Sequence, residues 1–221
     1  MKQTLFDFED HVANILSVWE QADSVDMKEG LIAYERYRET LGRLATHYSK
    51  PLPSVVGAFV ALSPNNAYMT NLRATKSLLE GRRGAGYGQC QERAKRCLGG
   101  EDFLAFTRGL KTRNFYQNIM NPGDRDPVTV DGHAYSVWDG RYHRMRDAHV
   151  VGDEKVYMRV AEDFRSAANK ANVLPQQMQA VTWFAWKRLN RVVADLQMDM
   201  FRAGDQWMLD LEPDDISVFG M

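Results

Sequence analysis

The sequence has little cysteine, no long apolar run and almost no net charge. Its two cysteines, Cys90 and Cys97, allow one disulfide at most and cannot supply the four ligands of a structural metal site. No apolar run approaches the roughly 20 residues that a membrane-spanning helix needs. Acidic residues interrupt the apolar ones near the N-terminus, which argues against a secretory signal peptide there. We therefore expect a protein of the reducing cytoplasm, without a membrane partner.

β-Strand patterns are also scarce, and apolar residues recur instead at steps of three and four residues, the spacing of a buried helix face. The predicted helices cover approximately residues 6–19, 31–48, 55–62, 66–79, 89–98, 101–107, 111–120, 153–171 and 175–198. The one strand-like segment, 128–130, is too short to build a sheet. The pattern predicts an all-α fold of many short helices. We expect one helical domain over 1–198, with helices of 1–50 packing on a core of 54–198, and an acidic tail over 199–221.

Charge is unevenly distributed, although the net charge is only −1. Between Arg73 and Arg113 there are ten cations and four acids, a local charge of +6, whereas residues 199–221 carry a charge of −5. A basic middle with acidic flanks is typical of a protein that binds a polyanion on one face, although solvated helix faces would give the same pattern. Arg82 and Arg83 lie in the stretch GRRGAGYG, which lacks the preceding strand and the Gly-Lys-Ser/Thr ending of a nucleotide-binding P-loop. We expect a loop there whose arginines contact phosphate.

Polar residues around the predicted helix 111–120 form the most informative pattern. That helix carries Lys111, and a proline–glycine turn followed by Val-Thr-Val leads from it to Asp131 at the start of a further helix. An aspartate at this position caps backbone N–H groups and is kept ionised by the helix dipole. A purely structural interpretation makes Asp131 a helix cap and Lys111 a surface charge, but capping alone explains only the aspartate and not the other residues of the pattern. No histidine spacing resembles a zinc site, and neither a metal nor another cofactor is expected.

The order of several short motifs resembles the helix-hairpin-helix DNA glycosylases of the endonuclease III superfamily. Gly109-Leu110-Lys111-Thr112 is similar to the hairpin of those enzymes, VTVDGHA to the segment that bears their catalytic aspartate, and ALSPNN to the helix junction before the hairpin. The closer likeness is to a bacteriophage group of that superfamily, the α-glutamyl/putrescinyl-thymidine pyrophosphorylases. Tyr87-Gly88, Phe115 and Asn118 after the hairpin lysine, and PQQMQAVTWFAWKR extend this likeness over residues 54–188.

The resemblance implies a helix-hairpin-helix glycosylase-like fold and a DNA-modifying transferase. The expected reaction hypermodifies thymine by replacing the pyrophosphate of 5-hydroxymethyluracil pyrophosphate with an amine, such as that of an amino acid. The implied partners are double-stranded DNA carrying the modified thymine and an amino acid or polyamine co-substrate. A monomer is expected, in the host cytoplasm if the chain is phage-encoded. The cysteine ligands of an iron–sulfur cluster are absent, so none is expected.

The resemblance also implies roles for individual residues. Asp131 is the expected catalytic carboxylate, which takes the proton from the incoming amine. Lys111 is the expected catalytic cation on the departing pyrophosphate, and the two residues are expected to flank the same cleft. A flipped base needs a stacking wall, for which Phe115, Tyr135, Trp138 and Trp183 are candidates. Each could equally be a core residue, and for Trp183 a core position is the preferred interpretation. The expected substrate-binding residues are Asn65, Asn66, Asn118, His133, Trp138 and Gln179, of which the first two could equally be helix caps. The expected contacts to DNA or pyrophosphate are Arg82, Arg83, Arg113 and Lys187.

Two alternatives stay open. A DNA glycosylase or lyase that excises a modified base would use the same Asp131, with Lys111 as its amine nucleophile. A non-catalytic helical module that binds DNA through the basic middle segment would need neither residue for chemistry. Asp131 does not discriminate between transferase and glycosylase, because both reactions need a carboxylate beside the flipped base.

Overall fold

The computed structural model describes residues 10–64, 66–143 and 152–190, and these residues form ten α-helices and no β-strand. The all-α prediction is therefore confirmed. The described residues divide into two compact units: unit 1 comprises 10–31, 128–143 and 152–190, and unit 2 comprises 32–64 and 66–127. The single domain over 1–198 stays a prediction, and the predicted acidic tail lies outside the described residues.

The helices follow the predicted order, and the largest shift of an end is at the start of α2. Residues 6–9 and 191–198 of the predicted first and last helices lie outside the described residues. In chain order they are α1 (His11–Glu20), α2 (Ser24–His47), α3 (Leu52–Leu62), α4 (Tyr68–Leu79), α5 (Gly88–Leu98), α6 (Phe103–Phe106), α7 (Leu110–Met120), α8 (Gly132–Asp139), α9 (Glu154–Ala171) and α10 (Pro175–Leu189). Unit 1 holds α1, α8, α9 and α10, unit 2 holds α3 to α7, and α2 belongs partly to each.

The helix α2 begins seven residues before the predicted start at residue 31. Asp23 explains the early start, because its Oδ1 accepts hydrogen bonds from the backbone N–H groups of Val25 and Asp26, at 2.9 Å each. An aspartate in this position satisfies donors that the first helical turn leaves unpaired. Arg188, at the end of α10, forms ion pairs with Asp23 at 3.1 Å and with Asp26 at 2.7 Å. These bonds join the start of α2 to the end of α10 within unit 1.

The apolar helix α3 forms the core of unit 2. All of its residues from Val55 to Leu62 are buried, and it packs against α4, α5, α6 and α7. The approach to α5 is close at Gly57, where a Cβ atom would lie 2.9 Å from Cys97 Sγ and 3.1 Å from Phe103 Cβ. A helix with no polar face is stable in water only when neighbours surround it, and the other helices of unit 2 cover α3 in this way.

In unit 1, α10 packs against α1, α8 and α9. The strand-like segment 128–130 leads into α8, and among the described residues it pairs with no strand. The hydroxyl of Tyr157 donates to Val128 O at 2.7 Å and accepts from Val130 N at 3.1 Å. Both valines are fully buried. The Tyr157 side chain therefore bonds to backbone groups that would pair with a neighbouring strand in a sheet. These bonds also fix the position of Asp131, the residue that follows Val130.

Candidate functional site around Asp131

Asp131 is the N-cap of α8, as the sequence predicts. Its Oδ1 accepts hydrogen bonds from the backbone N–H groups of His133 at 3.0 Å and Ala134 at 2.8 Å. These donors hold Oδ1 at the first turn of α8, which is the positive end of the helix dipole. Asp131 is half-buried, so the helix presents a fixed negative charge that a ligand can reach.

The second oxygen of Asp131 is bonded from a helix far along the chain. Trp183, in α10, donates from its indole Nε1 to Asp131 Oδ2 at 3.1 Å. The ring is half-buried rather than enclosed in the core, which differs from the preferred interpretation of this residue. Because a carboxylate oxygen has two lone pairs, Oδ2 can still accept a second hydrogen bond. Trp183 therefore orients the carboxylate and leaves it able to bind a donor.

Lys187 lies one helical turn after Trp183 and packs its amine against the indole ring. Its Nζ is 4.2 Å from the ring centroid, within the range of a cation–π contact. Burial lowers the pKa of Lys187 to about 8, and the negative charge of Asp131 acts in the opposite direction. A group with this pKa is neutral in about half of the molecules at pH 8. Lys187 therefore differs from a surface lysine, which stays a cation at that pH.

These residues form one cluster in unit 1, which we call the Asp131 cluster: Asp131, His133, Trp183 and Lys187. The His133 ring packs edge-on to Trp183, with centroids 6.1 Å apart and an interplanar angle of 81°. The cluster combines a fixed anion, an aromatic wall and an amine that titrates near neutral pH. Together these groups are suited to binding an organic cation and to exchanging a proton with it.

Two other predicted substrate-binding residues of unit 1, Trp138 and Gln179, are buried, with 7% and 5% of their surface exposed. Trp138 stacks on His11 with ring centroids 3.7 Å apart, and its Nε1 donates to Asp163 Oδ2 at 2.7 Å. These contacts are those of a packed interior side chain. Trp183, and not Trp138, is the tryptophan whose side chain bonds to Asp131, while the stacking role of Trp138 stays a prediction.

The predicted site residues of α7 belong to unit 2. Lys111 is exposed in the first turn of the helix, whereas Asn118 is fully buried. Phe115 packs between aromatic rings of its own unit, 5.6 Å from Tyr37 and 6.3 Å from Phe59 between centroids. Because Lys111 and Asp131 belong to different units, the cleft they were expected to share stays a prediction.

Two predicted ligand-binding residues of unit 2 bind the backbone of the protein itself. Arg113 donates from Nη1 to the carbonyl oxygens of Leu104 and Thr107, at 2.8 Å each, and so holds the turn between α6 and α7. Asn66 donates from Nδ2 to Leu62 O at 2.8 Å and caps the end of α3, as the helix-cap alternative predicts. Asn65 lies outside the described residues.

Arg82 and Arg83 are exposed on the glycine-rich loop, as the sequence predicts, beside a surface pocket of about 450 Å³. The residues that line this pocket are Gly81, Arg82, Arg83, Gly88, Gln91, Glu92 and Lys95. Arg82 forms an ion pair with Glu80. Across the described residues, five exposed cations of the basic middle segment form no ion pair: Arg73, Arg83, Arg93, Arg108 and Lys111. Unit 2 therefore carries positive charge that its own acids do not neutralise.

The bond between Trp183 and Asp131 could not be found in the sequence, because the two residues are 52 positions apart and no periodicity relates them. The sequence did indicate that Trp183 and Lys187 lie close together, because a spacing of four residues places both side chains on the same face of one helix. The stack of His11 on Trp138 and the contact of Trp138 with Asp163 were likewise not predicted.

Neither metal ligands nor membrane spans are found in the part of the chain that the structure describes. Within it, no three histidine, cysteine, aspartate or glutamate side chains group as metal ligands would. None of its helices is long and apolar enough to cross a membrane.

The fold and the cluster together define an all-helical protein with a capped carboxylate, an aromatic wall and a half-buried amine. The chain belongs to DUF7178, a family of unknown function whose profile matches residues 1–190. The whole Asp131 cluster lies within the matched residues. Neither a curated protein nor a solved structure matches the chain.

Proposed function

We propose that this chain is a DNA-modifying transferase that hypermodifies thymine in double-stranded DNA. In the proposed reaction the nitrogen of an amine, from an amino acid or a polyamine, attacks the exocyclic carbon of 5-hydroxymethyluracil pyrophosphate on a flipped base. The C–N bond forms as the C–O bond breaks, the electron pair leaves with pyrophosphate, and the ammonium loses a proton before it attacks. Two observations support the proposed activity: the order of the motifs in the sequence and the chemistry of the side chains in the Asp131 cluster.

The observation that carries this proposal is the orientation of the Asp131 carboxylate by two backbone N–H groups and the indole of Trp183. An amine co-substrate reaches the protein as a cation, and a fixed anion that can accept a further hydrogen bond attracts and orients it. The Trp183 ring beside the carboxylate adds a surface on which a base or an alkylammonium group can stack.

We also propose that the helical architecture is of the helix-hairpin-helix glycosylase type. The turn between α6 and α7 supports this, since it is short, ends on Gly109 as the N-cap of α7, and is held by Arg113. The first turn of α7 offers backbone N–H groups of the kind that bind phosphate. The exposed cations of unit 2 support binding of a DNA backbone.

The test is a reaction with duplex DNA that carries 5-hydroxymethyluracil pyrophosphate, in the presence of amino acids and putrescine. After digestion to nucleosides, mass spectrometry should detect an aminated thymidine derivative and free pyrophosphate. Asp131→Asn should abolish the product. Asp153→Asn is the matched control, because Asp153 caps α9 through the backbone N–H groups of Lys155 and Val156 and no tryptophan among the described residues bonds to it. Unchanged DNA with the wild-type protein would favour the non-catalytic module.

A glycosylase or lyase is the second candidate, and the Lys187 amine favours it specifically. A lyase needs a neutral amine to attack the sugar C1′, and the lowered pKa of Lys187 supplies one beside a carboxylate. In this reaction borohydride should trap a protein–DNA adduct, and the digest should contain abasic sites. The adduct should disappear in Lys187→Arg if Lys187 is the nucleophile, and in Lys111→Arg if Lys111 is.

A further inference from the structure

The Asp131 cluster holds a carboxylate and an amine, and the proposed transfer needs one of them to remove a proton from the incoming ammonium. Asp131 accepts hydrogen bonds from two backbone N–H groups and from the Trp183 indole, so both of its oxygens have a donor. The same bonds hold the carboxylate in one orientation, which suits it to binding a cation.

We propose that Lys187 is the catalytic base of the transfer reaction and that Asp131 binds and orients the ammonium. The inference rests on the proposed function. In this step the neutral Lys187 Nζ takes one proton from the R–NH₃⁺ co-substrate held at Asp131 Oδ2. The R–NH₂ that results attacks the exocyclic carbon, and pyrophosphate leaves with the C–O electron pair. Lys187 then returns its proton to water, so that charge and protons balance over one turnover.

The geometry supports this division of roles. Trp183 connects the two groups, since its Nε1 donates to Asp131 at 3.1 Å and Lys187 Nζ lies 4.2 Å from the centre of its ring. An ammonium bound at Oδ2 would therefore lie along the edge of the same indole on which the Lys187 amine rests. The burial of Lys187 limits the hydration of its amine, which disfavours the charged form.

The basicity of Lys187 suits it to accept a proton from the incoming amine. An α-amine has a pKa of about 7.7–8.0. The pKa of Lys187, about 8, matches that of an α-amine, and transfer between the two is close to balanced.

The negative charge of Asp131, at the start of α8, acts on the Lys187 amine. Charged groups on α2, α9 and α10 have partners of their own. On α10 itself, Arg188 pairs with Asp23 and Asp26 at the start of α2. On α9, Asp163 accepts from Trp138, and that ring stacks on His11 of α1. His133 of α8 lies against Trp183 and is the remaining titratable group of the cluster.

The experiment has two readouts on the full chain. First, lysines are ¹³C-methylated reductively, and the signal absent from Lys187→Arg is followed by NMR as a function of pH. It should titrate near pH 8, well below the other lysines, and Asp131→Asn should lower its midpoint further, since an attractive negative charge is lost. A Lys187 signal that titrates together with the exposed lysines would overturn the inference.

Second, the rate of aminated nucleoside formation is measured from pH 6 to 10 for the wild type, Lys187→Arg and the control Lys170→Arg, an exposed lysine of α9. The wild type should show an acid limb with a midpoint near 8, and Lys187→Arg should be about 10²–10⁴-fold slower, the usual cost of losing a positioned base. Lys187→Met, which keeps the apolar stem, should be as slow as Lys187→Arg. Wild-type rates in both Lys187 variants would refute the role of Lys187 while the transferase function stands. Absence of product from the wild-type protein would refute the function itself, and with it this role.

Discussion

At the scale of single residues, the two oxygens of Asp131 have different partners, so an asparagine cannot replace both contacts. In Asp131→Asn the new amide oxygen can cap α8, but the NH₂ group then faces the indole N–H of Trp183, and two donors oppose each other. We expect this substitution to lower the free energy of unfolding by about 1–3 kcal/mol, the cost of unsatisfied donors. Urea denaturation measures this change. Asp153→Asn should change stability by less than about 0.5 kcal/mol, because aspartate and asparagine are equivalent as simple caps.

A double-mutant cycle separates the bond to the indole from the cap. In a Trp183→Phe background the opposing N–H is gone, so Asp131→Asn should cost no more than the control at Asp153. An equal loss of stability in both backgrounds would mean that the bond between Trp183 and Asp131 contributes nothing measurable.

The buried amine of Lys187 predicts a pH-dependent stability. Its pKa is about 8 in the folded protein and that of an ordinary lysine, 10.5, in the unfolded chain. Between pH 8 and 10.5 the unfolded chain binds more protons than the folded protein, so the free energy of unfolding rises with pH. Below pH 8 Lys187 is charged in both states, and the full cost of burying its charge opposes folding. Lys187→Met should therefore be more stable than the wild type at pH 7, with the difference shrinking as pH rises towards 10. Urea unfolding at pH 7 and 9.5 measures it, with the exposed Lys170→Met expected to show no such trend.

At the scale of elements, the helix α2 contains two glycines in opposite environments. A Cβ atom at Gly30 would lie 2.4 Å from Val181 Cγ2 and 2.5 Å from Val181 Cα in α10, whereas at Gly42 it would meet nothing within 4 Å. We expect Gly30→Ala to destabilise the protein by about 1–3 kcal/mol or more, because backbone would have to move. Gly42→Ala should stabilise it by about 0.5–1 kcal/mol, since alanine is the better helix former. Thermal unfolding of the two variants tests the pair, and equal shifts would contradict the close packing at Gly30.

Several elements were predictable because their signals are local. The buried helix α3, the start of α10 at Pro175 and the cap at Asp131 follow from residues a few positions apart. The early start of α2 was missed although its cap, Asp23, is also local, because the helix begins with a polar turn that has no apolar periodicity. The segment 128–130 has a strand-like composition but pairs with no strand in the part of the chain that the structure describes. The hydroxyl of Tyr157 bonds to its backbone groups instead.

At the scale of the whole molecule, the uneven charge predicts a salt-dependent affinity for DNA. Arg82 and Arg83 are exposed beside one pocket of unit 2, in a segment whose local charge is +6. Changing both to glutamine should weaken binding to duplex DNA and reduce the slope of log K against log salt by up to about 2, since each lost phosphate contact removes about 1.

The control pair Lys28→Gln and Lys170→Gln removes the same charge from exposed positions of unit 1. Equal slopes for both pairs, measured by fluorescence anisotropy, would show that charge alone and not this segment governs binding. Arg113 is unsuitable for this test because it holds the backbone of its own turn.

The sequence by itself determined the all-helical class, the order of the helices, the cap at Asp131 and the uneven charge, because each depends on residue types and spacings within one or two helical turns. It named Asp131, His133, Trp183 and Lys187, but as separate candidates with different roles. Only the tertiary structure brought them together, because the packing of α10 against α8 decides which side chain reaches the second oxygen of Asp131. It also decided that Arg113 binds carbonyls and that Lys187 is a weakly basic amine, since burial and partners are properties of neighbours that lie far away along the chain.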